Sequence, residues 1–410
     1  MAEMHEGRYA VGGVLMDRPF RIQRLGHFGL NAEIAARSVD FYTRLLGFRV
    51  SDEIDFTTIV PGLVDRTDLQ EKSGFFLKLN SDHHSLVIFP RPVRKAMDRH
   101  GLTPPEVTIN QLTWQVGSLR QVVDATEWLA ANGRRIARQG RDIPGSNWHV
   151  YFPDPDGHLN EFYFGIEQIG WDGLAKPRAL FGRSYAEAIE LPQPPEQMEI
   201  DRALQRGVRL GEGHRALDPA IGGELFDVSG TLLPRPFRVV QLGPVNLFVG
   251  DVDGALAYYR DELGLRLSET VRFEGHSCHF LRANTEHHSL GLFPLELRGR
   301  LDLSPHTTCM SFGVRVADYR QLREARAFLE AAGVPIRELP APLSPGMDRS
   351  FFAFDPDGHA VQFYFHMEQI GWDGVPRPGD RRAPVEGEWP DFVEEQSDSF
   401  GGEVFFGPWG

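Results

Sequence analysis

The chain repeats itself in order, and no other feature narrows its fold as much. RPFRIQRLG at 18–26 returns as RPFRVVQLG at 235–243. VDFYTRLLGF at 39–48 matches ALAYYRDELGL at 255–265, and DHHSLVIF at 82–89 matches EHHSLGLF at 286–293. DPDGH occurs at 154–158 and 355–359, and EQIGWDG at 167–173 and 368–374. The offset is 217 between Gly26 and Gly243, 204 between Asp82 and Glu286, and 201 between Asp154 and Asp355. The first half therefore holds extra residues, and VPGLVDRTDLQEK at 60–72 is the obvious insertion.

Each half is itself bipartite. Residues 25–30 alternate as a strand does, and 35–46 carry apolar residues at helical spacing before Gly47. Runs at 48–56, 75–79 and 85–89 are rich in aromatic and β-branched residues, as strands are. The same strand, helix and three strands recur at 108–116, 119–132, 134–138, 149–152 and 159–164. PDPDG at 153–157 is a turn by composition. The expectation is an α+β chain of four βαβββ modules, paired into two open-barrel domains at 21–173 and 237–376. An extension at 1–20, a Pro- and charge-rich linker at 174–236 and a tail at 377–410 complete it. The tail's closing aromatics, FFGPWG, would pack on a surface such as a partner subunit.

Bulk properties exclude several function classes. Of 410 residues, 41% are hydrophobic, enough for sizeable cores. No run approaches the roughly 18 apolar residues of a membrane helix. No basic segment followed by an apolar one opens the chain, so no secretory signal is expected. The two cysteines, Cys278 and Cys309, make neither a disulfide framework nor a thiolate cluster and suit a reducing cytoplasm. A formal charge of −14 argues against nucleic-acid binding.

Residues 24–56, 80–90 and 140–164 together resemble the vicinal-oxygen-chelate superfamily of glyoxalases, bleomycin-resistance proteins and dioxygenases. Within it they look most like the type I extradiol ring-cleaving dioxygenases. The resemblance spans about 21–172 and 239–373. It implies two modules per open barrel, with iron(II) inside one barrel, or another divalent metal in its place. Two histidines and a carboxylate hold such a metal and leave room for a catecholate and O2.

Residue by residue, the resemblance makes His27 in LGHF the first metal ligand and Glu161 in HLNEFYF the carboxylate. Tyr151 matches the tyrosine that meets the substrate oxygen, and His84 the histidine beside bound oxygen. The second histidine ligand falls on Gln111, a neutral and weaker donor that glyoxalases of the superfamily also use. A further family histidine aligns with Asp142. The second half has Pro244, Ser311, Gln362 and Phe352 opposite His27, Gln111, Glu161 and Tyr151, while His287 and His288 persist. Metal is therefore expected in the first half, although most two-domain relatives keep it in the second. The second half would then buttress the first.

Blander readings stand beside these. His27 could be a hydrogen-bonded core histidine and Glu161 a salt-bridged one. Gln111 could merely line the barrel, and His149 could be an ordinary strand residue. His84 shares its HHSL motif with a half that lacks the ligands. The leading functional expectation is an iron(II)-dependent dioxygenase inserting O2 into a small aromatic diol. A metal-dependent isomerase or lyase of the same superfamily, or a metal-free binder, is the alternative. A homo-oligomer is expected.

Overall fold

The computed structural model describes residues 4–5, 7–98, 107–184, 189–216, 223–371, 373–379 and 389–393. Its first half is one sheet, with the strands Ile22–Ala32 and Ile109–Val116 paired antiparallel at its centre. Outward from Ile22–Ala32 lie Leu86–Pro90, Ser73–Lys78 and Arg49–Asp55. Outward from Ile109–Val116 lie Leu159–Phe164, Trp148–Pro153 and Arg138–Arg141. The second half repeats this order in eight strands around Val239–Val249 and Cys309–Val316. Four βαβββ modules in two open barrels are thus present.

Local chemistry explains the helices. Ser118 accepts from the Gln121 N–H to start Leu119–Ala131, and Asp318 does the same for Tyr319–Ala331. Leu119, Val122, Ala125 and Leu129 are buried at helical spacing, as are Tyr319, Leu322, Ala325 and Leu329. The first helix of each half differs from expectation. The segment expected as one helix at 35–46 is α-helical over Ala35–Asp40 and continues as a π-turn over Phe41–Leu45. The strand expected at 134–138 runs instead over Arg138–Arg141, because Arg134 leaves the sheet to pair with Glu262 of the other half. The insertion at 60–72 is not loose. Leu63 and Leu69 pack with Ile54, Phe56, Phe76 and Phe89, and Glu71 accepts from the N–H groups of Ala35 and Ala36.

The 174–236 segment is folded onto the first half at its start, and further on a hairpin of Phe226–Val228 and Thr231–Leu233 sets Phe226 against Phe328 of the second half. Arg183–Ser184 adds a ninth strand beside Arg138–Arg141, and the helix Glu196–Gln205 carries Glu199 to Arg141. In the tail, Trp389 packs against Tyr319 and Phe351 of its own chain, and FFGPWG lies outside the described residues. Cys278 and Cys309 are buried and unpaired. Among the described residues, no helix is long and apolar enough to cross a membrane.

The repeated motifs work across the halves. The Tyr42 hydroxyl donates to Asp355 at 2.9 Å, and the Tyr259 hydroxyl donates to Asp154 at 2.8 Å. Arg18 lies across Gly264 and Arg235 across Gly47, both glycines at positive φ, where a Cβ would fall about 2 Å from the guanidinium. Phe28 meets Phe312 edge-on at 4.7 Å, and one apolar cluster contains residues of both halves. FYT/YYR, RPF and DPDGH are therefore a reciprocal clasp.

Replacing Tyr42 or Tyr259 by Phe leaves a buried carboxylate one donor short. Each variant should lose about 1.5–3 kcal/mol of unfolding free energy. Denaturant melts check this, and a loss within error would show the clasp idle. The clasp also sets a pH dependence. Burial pulls His158 and His359 down, but Asp154 and Asp355 outweigh it and hold both above the usual 6.5. Their contribution is complete below 6.5 and fades as pH rises through the folded values. Stability should therefore decline on the alkaline side of 6.5 in the native chain. It should decline less in a His158→Gln, His359→Gln double variant, as melts across pH would record.

Candidate metal centre in the first half

Strand register assembles the centre. His27 pairs with Thr113, Thr113 with Glu161, Glu161 with Tyr151, and Tyr151 with Arg138. Five neighbouring strands thus contribute one row of side chains. Thr113 is short, and His27 and Glu161 reach over it until His27 Nε2 lies 3.5 Å from Glu161 Oε2, both side chains fully buried. Gln111 precedes Thr113 by two residues, so it shares that face. It runs beside Gly29, where a Cβ would stand 3.3 Å from its Cγ.

The carboxylate is aimed from both sides. Thr113 donates its hydroxyl to Oε2 at 3.1 Å, and Asn147 donates to Oε1 at 2.8 Å. His149 Nδ1 is 3.8 Å from Oε1, while its Nε2 is 3.1 Å from Asp142. Burial would raise the Glu161 pKa, but the His27 ring beside it and the charge of His149 outweigh it, so the carboxyl is held below its usual range. Asp142 is likewise held low, because its bond to His149 and the charge of Arg138 overcome burial. Burial, then the charge of Glu161, pushes the Tyr151 phenol well up, so it keeps its proton.

His84 packs its ring 4.2 Å from that of His27. Its Nδ1 lies 3.0 Å from His83 Nδ1, and His83 Nε2 lies 3.5 Å from Asp52. The second half copies this arrangement, with His287, His288 and Glu269. The histidine pair is thus part of the fold in both halves, and only the contact with His27 is particular to the first. Gly145, at φ +98°, lets the 143–147 turn lie on the pair, since a Cβ there would stand 2.7 Å from the His84 ring.

The donors fit a divalent ion. Neither ring nitrogen of His27 makes a hydrogen bond, and neither do His84 Nε2, Gln111 Nε2, His149 Nδ1 and the Tyr151 hydroxyl, although all are buried. So many unpartnered polar atoms together are costly unless something else engages them. Two donors each about 2.1 Å from one ion lie roughly 3.0–3.5 Å apart in octahedral or tetrahedral geometry. The His27–Glu161 separation of 3.5 Å matches. Among the described residues, no three His, Cys, Asp or Glu side chains converge as a metal site, so His27 and Glu161 are the pair that fits an ion, with Gln111 on the same face.

The second half shows the same row closed. Arg337, Phe352, Gln362 and Gly313 are in register, with Pro244 next to Gly313. Gln362 donates to Ser344 and Ser350 at 2.8 and 3.1 Å, and Asn246 donates to Ser311 at 2.8 Å. Gln362 and Ser311 are thus partnered, and Asn246 Oδ1 is left without a bond. Of the sequence-derived residues, His27, Glu161, Tyr151 and His84 come together, and Gln111 shares their face. Asp142 stands one residue back, behind His149. Thr113, Asn147 and Arg138 escaped the sequence reading, although counting two residues on from Gln111 points to Thr113.

The family model for the "Glyoxalase/Bleomycin resistance protein/Dioxygenase superfamily" matches residues 24–162 and 241–363. Among solved structures, a halotolerant catechol dioxygenase superposes with a TM-score of 0.52 at 16% identity, covering 88% of this chain and 93% of the other. Homoprotocatechuate 2,3-dioxygenase from Brevibacterium fuscum gives 0.53 at 16% identity, covering 90% and 86%. The Mn(II)-bound glyoxalase from Novosphingobium aromaticivorans gives 0.51 at 14% identity, covering 88% and 89%. At these identities the structures establish the shared fold.

Thr113→Val and Asn147→Ala each remove one bond that aims Glu161. Each should weaken divalent-metal binding by about 10–100-fold, whereas Gln362→Ala in the second half should leave it unchanged. Metal titration against a chelator measures this, and equal effects in the two halves would refute the assignment.

Proposed function

The chain belongs to the glyoxalase/bleomycin resistance protein/dioxygenase superfamily, and within it we propose an iron(II)-dependent extradiol-type dioxygenase that inserts O2 into a small aromatic diol. The observation that carries this reading is the contrast between the halves. In the first, both ring nitrogens of His27 and Nε2 of His84 are buried without hydrogen bonds beside Glu161, whose carboxyl is held below its usual range. In the second, Pro244 and Phe352 stand in place of His27 and Tyr151, and Gln362, in place of Glu161, is bonded to Ser344 and Ser350.

In this reading His27, Glu161 and Gln111 hold the metal. When bound, it supplies a Lewis-acid centre with open positions where two vicinal oxygens and O2 can meet. Thr113 and Asn147 fix the orientation of the Glu161 carboxylate. Tyr151 lies opposite Glu161 in the sheet and retains its proton, so its hydroxyl donates to a substrate oxygen. Burial, then the charges of His27 and His83, keeps His84 neutral. Its Nε2 is buried and unengaged, so it can take a proton from the substrate and return it later. His83, held by Asp52, keeps the His84 ring in place. His149, between Asp142 and Glu161, lines the same wall.

Gln111 favours a second reading, a metal-dependent isomerase or lyase, because a neutral amide suits iron(II) less than imidazole does. Anaerobic reconstitution followed by oxygen uptake on a panel of catechols separates the two. Iron retention with oxygen consumption and a coloured ring-opened product is expected, and Glu161→Gln and His27→Ala should abolish both. Retention of zinc, nickel or manganese without oxygen uptake would favour the second reading. A metal-free protein whose Glu161→Ala variant binds ligand unchanged would leave a non-catalytic binder.

A further inference from the structure

The linker that follows the first barrel reaches the metal centre through one arginine. Arg141, at the end of the strand Arg138–Arg141, has a buried side chain, 4% exposed. Its Nη1 donates to Glu199 of the helix Glu196–Gln205, at 2.8 Å to one carboxylate oxygen and 3.0 Å to the other. Its Nε donates to the Ser146 carbonyl at 2.7 Å and the Ser146 hydroxyl at 3.1 Å. The guanidinium also lies 5.4 Å from the centroid of the Trp148 ring. One planar group thus ties the linker helix to the 143–147 turn, and Asn147 of that turn donates to Glu161 Oε1 at 2.8 Å.

The turn needs such a hold. Ser146 has φ +55°, a left-handed conformation that is costly for a residue with a Cβ, and Gly145 before it has φ +98°. Comparison of the halves separates what the fold requires from what the site requires. In both, a backbone N–H of the segment after the barrel bonds to a glutamate, Lys176 to Glu167 and Arg377 to Glu368. That glutamate's own N–H donates to the carbonyl of the turn glycine, Gly145 or Gly346. The Arg141–Glu199 bridge has no counterpart among the described residues of the second half, where 338–345 reads ELPAPLSP, without an arginine. In the place of Asn147 stands Asp348, which takes Arg377 at 3.4 Å and leaves Gln362 to Ser344 and Ser350. The half that carries the carboxylate is the one whose turn an arginine ties to the linker helix.

We propose that Arg141 and Glu199 are positioning residues of the metal centre: the docked linker helix holds the 143–147 turn, and through Asn147 it fixes the Glu161 carboxylate against His27. The proposal rests on the reading that His27 and Glu161 hold a divalent ion. It makes the helix Glu196–Gln205 a working part of the first barrel. A lysine at 141 would keep the charge, but one ammonium does not present the fixed, diverging N–H groups that span Glu199 and Ser146. Without Glu199 the buried guanidinium loses its carboxylate, and the turn and the aim of Asn147 loosen with it.

The test reads manganese(II) binding by the full-length protein through chelator competition, without substrate or O2. Glu199→Gln and Arg141→Lys should each weaken binding by about threefold to tenfold, less than the loss of a group bonded to Glu161 itself. Glu199→Asp should restore part of that loss. Glu196→Gln, which breaks only the ion pair of the same helix with Lys176, should leave affinity unchanged. In an Asn147→Ala background, Glu199→Gln should cost nothing further, because its route to Glu161 is already cut. Full affinity in Glu199→Gln, or losses that multiply in the double variant, overturns the proposal. Amide hydrogen exchange over residues 142–148 needs no metal, and should quicken in Glu199→Gln but not in Glu196→Gln. Unchanged exchange there overturns the proposal whatever the metal result. A native chain that binds no manganese fails the metal reading instead, and exchange then judges the linker's hold on the turn by itself. Circular dichroism and melting check folding, and Arg141→Lys, which keeps the buried charge, carries the test if Glu199→Gln unfolds.

Discussion

The antiparallel pairing of Ile22–Ala32 with Ile109–Val116 fixes nearly everything else in the first half. It joins two modules that could each have ended in an exposed edge. It also sets His27 opposite Thr113, and through the parallel neighbour Leu159–Phe164 it sets Glu161 opposite Thr113 from the other side. A slip of one residue would turn His27 out of the barrel and bring Phe28 in. The meeting of His27 with Glu161 is a property of backbone register, and the side chains only complete it.

The two halves solve one physical problem in different ways. A barrel interior that contains polar groups must satisfy them, because each unpaired buried group costs on the order of 1–3 kcal/mol. The second half uses short, neutral partners, Ser311, Ser344 and Ser350, which bond to Asn246 and Gln362. Pro244 and the Gly243 carbonyl crowd Gly313, so the space above the row is filled. The first half keeps an imidazole and a carboxylate facing each other over a threonine. Such an arrangement is stable with a cation between the groups and strained without one.

The sequence made the repeat and the module order legible, because the repeated segments are the ones that must fit each other. His27, Glu161, Tyr151 and His84 were legible through motifs that recur at fixed places. Thr113 and Asn147 were not. Thr113 looks like an ordinary strand residue until the register puts it between His27 and Glu161. Asn147 matters only because the turn at Gly145 brings it back over the sheet. The π-turn at Phe41–Leu45 was also invisible, since apolar spacing over a few residues cannot tell it from an α-helix. The linker's fold onto Arg141 escaped because its Pro-rich composition hides one short strand and one helix.

The reciprocal clasp carries a consequence for the order in which the molecule matures. Tyr42 waits for a partner 313 residues further along, whereas Tyr259 finds one 105 residues behind it. At roughly 5–20 residues per second, the ribosome needs about 15–60 s to deliver that distant partner. Until then the helix that carries Tyr42 has no acceptor for its phenol, and the face around Phe28 has no Phe312 to cover it. The half that carries His27 and Glu161 is thus the earlier to be synthesised and the later to be finished, and the half that carries Asp355 sets the clock.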